Sequence, residues 1–326
     1  MYIHTKCSNY ASESCPCALA EYGHCIVCSM CRGEAFCDCG DTAGYCILQE
    51  LRNNGGKSKE QNKVLSCETV FVRNFGDEYK YIRLKVPSRD ISQFKRPGTF
   101  VFVRTSENPF YDVPISVIYE DYESDSIGMF IQLRGIKTQA FADIEKGSRI
   151  FLRGPYYNGL QGIKKVVSLK EKKALVLCRG IGLLPSLHVI GKLRENHNDL
   201  DVFFDPGQFD KRYVEFVTDL FEIDVRPVAV CDSKGNLTSR IIDLIKESIE
   251  NGTKLIHLGL SDWLIKKCAC YLEEIYGRSI ALSCINNAHM CCGEGICGAC
   301  TKNVDSGKIV HLCKEQMDVY DYKNLL

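Results

Sequence analysis

The sequence predicts a multi-domain β plus α/β chain: an antiparallel β-barrel, then a parallel α/β unit, then a small C-terminal cysteine loop. Three observations carry this. Short β-type runs separated by turn residues fill Val64 to Gly154. Beyond Lys170, apolar runs alternate with helix-length stretches. Of the 20 cysteines, nine fall between Cys7 and Cys46 and six between Cys284 and Cys313, so the two ends are chemically unlike the middle.

The first element is the Cys-rich region, residues 1–50, which lacks a helical or alternating period and reads as metal-organised. A polar linker, residues 51–63, contains Asn53-Asn54-Gly55-Gly56-Lys57-Ser58-Lys59. The barrel, residues 64–160, is expected from the runs Tyr79 to Val86, Thr99 to Arg104, Ile115 to Tyr119, Gly128 to Leu133 and Arg149 to Arg153. The α/β unit, residues 168–278, takes strands at Ala174 to Cys178, Asp201 to Phe204, Val225 to Val230 and Leu255 to Leu258. Its helices are Leu183 to Asn196 and Ser239 to Asn251. Residues 279–326 form the last unit.

Composition narrows function. Lys+Arg and Asp+Glu both number 41, so no basic field gathers nucleic acid or an acidic membrane, and proteins and small cofactors are the natural partners. No apolar stretch approaches the ~20 residues of a membrane span, and the expected location is cytoplasmic. A large, charged chain of this kind keeps its thiols reduced, which turns the cysteines toward metal or redox use. The scattered Cys67, Cys178, Cys231, Cys268 and Cys270 read as small apolar core residues.

Cys292, Cys297, Cys300 and Cys313 follow the spacing Cys-x4-Cys-x2-Cys-x12-Cys, and the x4-x2 loop is the plant-type signature of a two-iron two-sulfur (2Fe-2S) cluster. A zinc ribbon would pair two Cys-x2-Cys knuckles, and only one is present here. Cys291 is a spectator in this reading.

With this motif at the end of a barrel plus α/β chain, the sequence from Val64 to Cys313 resembles the ferredoxin-reductase-like flavoproteins. Within them it is similar to the electron-transfer subunit of class 1B dihydroorotate dehydrogenase and the small subunit of NADH-dependent ferredoxin:NADP oxidoreductase. Arg96-Pro97-Gly98-Thr99-Phe100-Val101 resembles that family's turn into a barrel strand. Val113-Pro114-Ile115-Ser116 resembles its isoalloxazine-contacting segment, with Val113 in place of arginine, and Ile136-Lys137-Thr138 its pyrophosphate-addressing segment. Arg153-Gly154-Pro155 resembles its barrel-closing turn. Ala174 to Pro185 reads as strand, glycine turn and helix, placing Gly180, Gly182 and Pro185 at a phosphate-binding helix N-terminus. The resemblance implies FAD, NAD(H) and a partner oxidoreductase subunit of dihydroorotate-dehydrogenase-like or glutamate-synthase-like type. The family's loop near the nicotinamide is replaced by Leu258-Gly259-Leu260-Ser261-Asp262-Trp263, where Trp263 reads as core. Asp205 stands where a ribose hydroxyl is read, with no evident basic partner for a 2′-phosphate, which favours NAD over NADP.

In the N-terminal region, Cys15, Cys17, Cys25, Cys28, Cys31, Cys37 and Cys39 are candidates for a second metal site, a four-iron cluster or zinc. The expected activity is electron transfer between NAD(P)H, FAD, the 2Fe-2S cluster and the partner. No acid, base or nucleophile is required. The alternatives are a flavin and iron-sulfur relay or redox sensor that does not oxidise NAD(P)H, and a zinc-organised interaction protein.

Overall fold

The computed structural model describes residues 6–38, 44–60, 64–107, 111–121, 123–209, 211–304 and 309–326. Its first unit is built on two short helices, α1 (Ala18–Glu21) and α2 (Ile47–Asn53), around a core of Tyr10, Cys15, Ala20, Cys25, Val27, Cys28, Cys31 and Ile47. The polar segment after α2 lies against this unit: the Lys59 amide donates to the Pro16 carbonyl at 2.8 Å, and the Ser58 amide to Glu21 at 2.7 Å.

Six strands follow, β1 (Val64–Phe75), β2 (Tyr79–Lys85), β3 (Phe100–Arg104), β4 (Val113–Asp121), β5 (Ser126–Gln132) and β6 (Arg149–Tyr156), with a short helix α3 (Ile136–Gln139) between the last two. They close into an antiparallel barrel in the order β1-β2-β5-β4-β3-β6. Val101, Val103, Ile127, Met129, Ile150 and Leu152 fill its interior, the alternation that the period of two requires. The expected barrel is present. The unexpected strand is β1, whose inward positions include Cys67 and Thr69 rather than aliphatic residues, so its sequence carries little apolar alternation.

The second sheet contains β7 (Leu160–Gln161), β8 (Lys173–Arg179), β9 (Asp199–Asp205), β10 (Arg226–Pro227), β11 (Thr253–Gly259) and β12 (Ala281–Ile285), in the order β10-β9-β8-β11-β12-β7. All neighbours are parallel except β12 and β7. Helices α4 (Ile163–Ser168), α5 (Leu183–Glu195), α6 (Lys211–Phe221), α7 (Ser239–Glu250) and α8 (Asp262–Tyr276) accompany it. Two expectations change. The strand over Val225 to Val230 shrinks to Arg226 and Pro227 at the sheet edge, both exposed, as suits a proline that cannot donate to a ladder. The α/β unit also extends past 278, because β12 pairs with β11 through Leu282, Ser283 and Cys284.

The chain then forms the cysteine loop, a two-stranded ribbon of β13 (Thr301–Asn303) and β14 (Ile309–His311), and a last helix α9 (Val319–Tyr322). Aromatic rings weld barrel to sheet: Tyr79 packs on Phe209 at 4.8 Å between centroids, and Phe130 on Tyr213 at 4.6 Å. Among the described residues, no helix is long and apolar enough to cross a membrane.

Candidate redox and nucleotide site

Where the barrel mouth meets the sheet, a cleft of about 250 Å³ lies beyond the carboxyl ends of β8 and β12. Its walls are Pro114, Ile115 and Ser116 of β4, Gly182 and Pro185 at the start of α5, and Asn286, Asn287, Ala288 and Met290 from the segment leading to the cysteine loop. Chain order reverses here, since β9 lies on one side of β8 and β11 on the other, and open α/β sheets bind ligands at such a switch point. Of the residues singled out in the sequence, the cleft thus joins Pro114, Ile115, Ser116, Gly182 and Pro185. Val113 is buried in the barrel core and does not line the cleft. Lys137 and Thr138 sit on α3, away from the cleft lining: Lys137 stands over the Tyr111 ring, and the Thr138 hydroxyl accepts from the amides of Arg134 and Gly135.

The glycine turn is set by close approach. A Cβ on Gly182 would lie 2.1 Å from the Gly259 carbonyl oxygen, so only glycine lets β8 and β11 converge at their ends. Gly180 has φ +55° and is covered by the Phe209 ring, 3.0 Å from where a Cβ would stand. Beneath the turn runs a buried polar chain. Ser186 Oγ lies 2.7 Å from the Gly182 carbonyl and 2.9 Å from His257 Nε2, and His257 Nδ1 lies 2.9 Å from Ser283 Oγ. Full burial pushes the His257 pKa down to about 3, so the imidazole is neutral.

Two expectations are corrected at this end. Asp205 does have a basic partner: its carboxylate accepts from Arg179 Nε at 3.0 Å, and also from the amides of Gly207 and Val230. Trp263 is not core. It is 57% exposed and donates to the Gly235 carbonyl at 2.9 Å, with Lys267 over its ring. Among the isolated cysteines, Cys67, Cys178 and Cys268 are buried as expected, while Cys231 is half-buried and Cys270 exposed.

The C-terminal loop brings its four cysteines together. The Cys313 thiol lies within hydrogen-bonding reach of both Cys292 and Cys300. That contact, with amides of the loop, draws the Cys292 and Cys300 thiols below their ordinary value. The Glu294 amide donates to Cys292 Sγ at 3.2 Å and the Cys313 amide to Cys300 Sγ at 3.4 Å. Cys297 is exposed, as is Cys291. Gly293 has φ +74°, and a Cβ there would lie 2.6 Å from the Tyr156 ring. Four thiols with inward amides fit a two-iron cluster. Among the described residues, no three His, Cys, Asp or Glu side chains converge as they would on a single ion.

In the N-terminal unit Cys15, Cys25, Cys28 and Cys31 are buried, Cys17 is half-buried, and Cys37 is exposed. Cys39 lies outside the described residues. Burial raises the Cys25 pKa and pushes Cys31 up to about 12.

No protein-family model matches the chain. The NADH-dependent reduced ferredoxin-NADP oxidoreductase structure superposes with a TM-score of 0.60 at 19% identity, covering 80% of this chain and 91% of that one. The chain has the ferredoxin-reductase fold. A ferredoxin NADP+ reductase from Neisseria gonorrhoeae shares this fold over 68% of this chain and 98% of its own, at a TM-score of 0.50 and 18% identity. In sequence, the chain is similar to the dihydroorotate dehydrogenase B (NAD(+)) electron transfer subunits of Fusobacterium nucleatum and Shouchella clausii. Each is 25% identical, covering 69% and 67% of this chain and 83% and 81% of the relatives.

On this ferredoxin-reductase fold, several contributors escaped the sequence. Arg153 of β6 donates to the Cys292 carbonyl at 2.9 Å and to Asp112 at 3.0 Å, tying barrel to cysteine loop. His257 and Ser186 lie 71 residues apart, and no local pattern joins them. Only the glycine turn above them carries a sequence signal.

Proposed function

We propose that this chain is the electron-transfer subunit of an oxidoreductase. In this reading it takes FAD and NAD(H), holds a 2Fe-2S cluster, and exchanges electrons with a partner subunit of dihydroorotate-dehydrogenase-like or glutamate-synthase-like type. One observation carries the reading: a single cleft joins barrel residues Pro114 to Ser116, the glycine turn at Gly182, and Met290 at the entry to the cysteine loop. The relatives' names point the same way.

The apolar walls at Pro114, Ile115 and Met290, with polar Ser116 and Asn287, suit a flat heteroaromatic ring. Bound flavin supplies the exchange between two-electron and one-electron chemistry. Ser116 and the backbone beside Val113 orient the ring, and Lys137 and Thr138 serve the flavin pyrophosphate. Gly180, Gly182 and Pro185 admit a nucleotide pyrophosphate at the α5 N-terminus. Cys292, Cys297, Cys300 and Cys313 hold the cluster. The working units are 64–160 for FAD, 168 to about 285 for nucleotide, and the remainder for the cluster.

Purified anaerobically, the chain should carry FAD that NADH bleaches. A flavin left oxidised by excess NADH and NADPH would overturn the donor assignment, and zinc without iron or sulfide would overturn the cluster. One observation favours a second reading, a relay or sensor without NAD(P)H oxidation: Phe209 covers Gly180 and Arg179 is engaged by Asp205, so the chain's own side chains occupy this end.

A further inference from the structure

The N-terminal unit is fastened to the C-terminal cysteine loop at its most sensitive point. The Ser8 amide donates to the Lys314 carbonyl at 3.0 Å, the Gln316 amide donates to the Lys6 carbonyl at 3.0 Å, and Cys7 bridges Glu315. Lys314 is the residue after Cys313. Leu19 of α1 packs on the loop itself, 2.9 Å from where a Cβ on Gly295 would stand. The two cysteine-rich ends of the sequence therefore form neighbouring structures.

Within the N-terminal unit the thiols are ordered. Cys17 stands at the position before α1, and its side chain makes no capping bond to the helix. The Cys28 amide donates to Cys25 Sγ at 3.3 Å, the turn by which a Cys-x2-Cys step presents two sulfurs to one metal centre. Arg32 fixes the same step by donating to the Cys25 carbonyl at 3.0 Å. Cys31 lies in thiol contact with Cys28, and Cys17 is near enough to Cys25 for their charges to interact. Cys25, Cys28 and Cys31 are each 6% exposed or less, and among the described residues the fully buried cluster they share adds Tyr10, Cys15, Ala20, Val27 and Ile47, with Met30, Tyr45, Leu48 and Leu51 partly buried against it. So small a core leaves much of the ordering to be supplied by something other than apolar burial.

Between the two thiol sets stands Lys314. Its side chain is fully buried, its Nζ lies 2.8 Å from Glu294 Oε2 in an ion pair whose angles fall short of a hydrogen bond, and it faces Cys17 and Cys7. A buried ammonium needs nearby negative charge, and thiolate-ligated centres on both sides would supply it.

We infer that Cys17, Cys25, Cys28 and Cys31 ligate a second iron-sulfur centre, of the four-iron type, separated from the Cys292 to Cys313 loop by Lys314. An electron crossing this wall oxidises one centre by one unit and reduces the other by one, with no bond broken and no proton moved. On the loop side the contact point of the two units is Lys314, next to Cys313, and the Lys314 carbonyl accepts from the Ser8 amide. The electron step rests on the two-iron reading of the C-terminal loop, whereas the N-terminal ligand set stands apart from it and from nicotinamide or flavin binding.

The test is iron, zinc and sulfide content with low-temperature EPR of the dithionite-reduced full chain, prepared anaerobically. Cys28→Ser should lose about four irons and keep the two-iron signal, whereas Cys300→Ser should lose about two and keep a four-iron signal. Cys37→Ser, at an exposed position, should lose nothing. Iron unchanged in a soluble Cys28→Ser, or about one zinc per chain lost in its place, overturns the proposal. Mössbauer spectra of the unaltered chain decide the case if Cys28→Ser does not fold: a four-iron component supports the assignment, and its absence overturns it. NADH bleaching of flavin is read separately and moves with none of these outcomes.

Discussion

Ser186 holds the carbonyl of Gly182 at 2.7 Å from one turn further along α5. A hydroxyl has one proton, and a carbonyl can only accept, so that proton goes to Gly182. The contact with His257 then runs the other way, with Nε2–H donating to Ser186. His257 Nδ1 is left to accept from Ser283. The direction of every bond in this buried chain is thereby fixed, and the glycine turn rests on it.

Replacing Ser186 with Ala should leave the His257 N–H buried and unpaired, at a cost of roughly 1–3 kcal/mol in denaturant unfolding. Steady-state NADH oxidation should show a raised KM with a smaller change in kcat, because the turn that admits the nucleotide loses its support. An unchanged KM would separate this network from nucleotide binding.

His257 makes the fold acid-sensitive in a defined window. Its folded pKa of about 3 lies below the ordinary 6.5, so below pH ~6.5 the unfolded chain takes up a proton that the folded chain refuses. The stabilisation is complete above that value and is lost as pH falls toward 3, by about 1.4 kcal/mol per pH unit. His257→Gln should flatten that part of a stability profile measured by urea unfolding between pH ~4 and ~7.

Arg153→Lys should loosen the cysteine loop, since a single ammonium cannot reproduce the fork that reaches both Asp112 and the Cys292 carbonyl. Iron loss to a chelator should quicken, with a stability cost of about 1–3 kcal/mol.

Lys314→Met strands the Glu294 carboxylate, itself largely buried, and should cost about 3–5 kcal/mol. Adding Glu294→Gln should recover most of that loss. A double-mutant cycle in guanidinium measures the coupling, and additive effects would show that the pair is not an ion pair in solution.

Replacing Cys297 with Ser should abolish the two-iron absorption and EPR signals while FAD stays bound, because Cys297 stands exposed on the loop and the cleft lies elsewhere. Persistence of those signals would sink the ligand set.

The barrel and the parallel sheet were legible because their strands alternate or run apolar in the expected way, as at Tyr79–Lys85 and Thr253–Gly259. Strand β1 was not, since Cys67 and Thr69 do the inward-facing work of aliphatic residues. Ala281–Ile285 falls within the unit expected over residues 279–326, although its ladder belongs to the sheet. At the site, glycine turns and cysteine spacings are local and could be read directly. The bonds from Ser186 to His257, Arg153 to Cys292 and Asp205 to Arg179 join residues 71, 139 and 26 positions apart, and only the folded chain brings them together. Trp263 misled for the opposite reason: a large apolar ring suggests core, but its indole N–H found the Gly235 carbonyl at the surface.

The strap between Ser8 and Lys314 also sets an order of events on the ribosome. Ser8 is synthesised 306 residues ahead of its partner, so the N-terminal unit emerges long before the segment it is fastened to exists. The contact can close only once Lys314 has been made, so the docking of the N-terminal unit on the cysteine loop is a late event in the assembly of the fold.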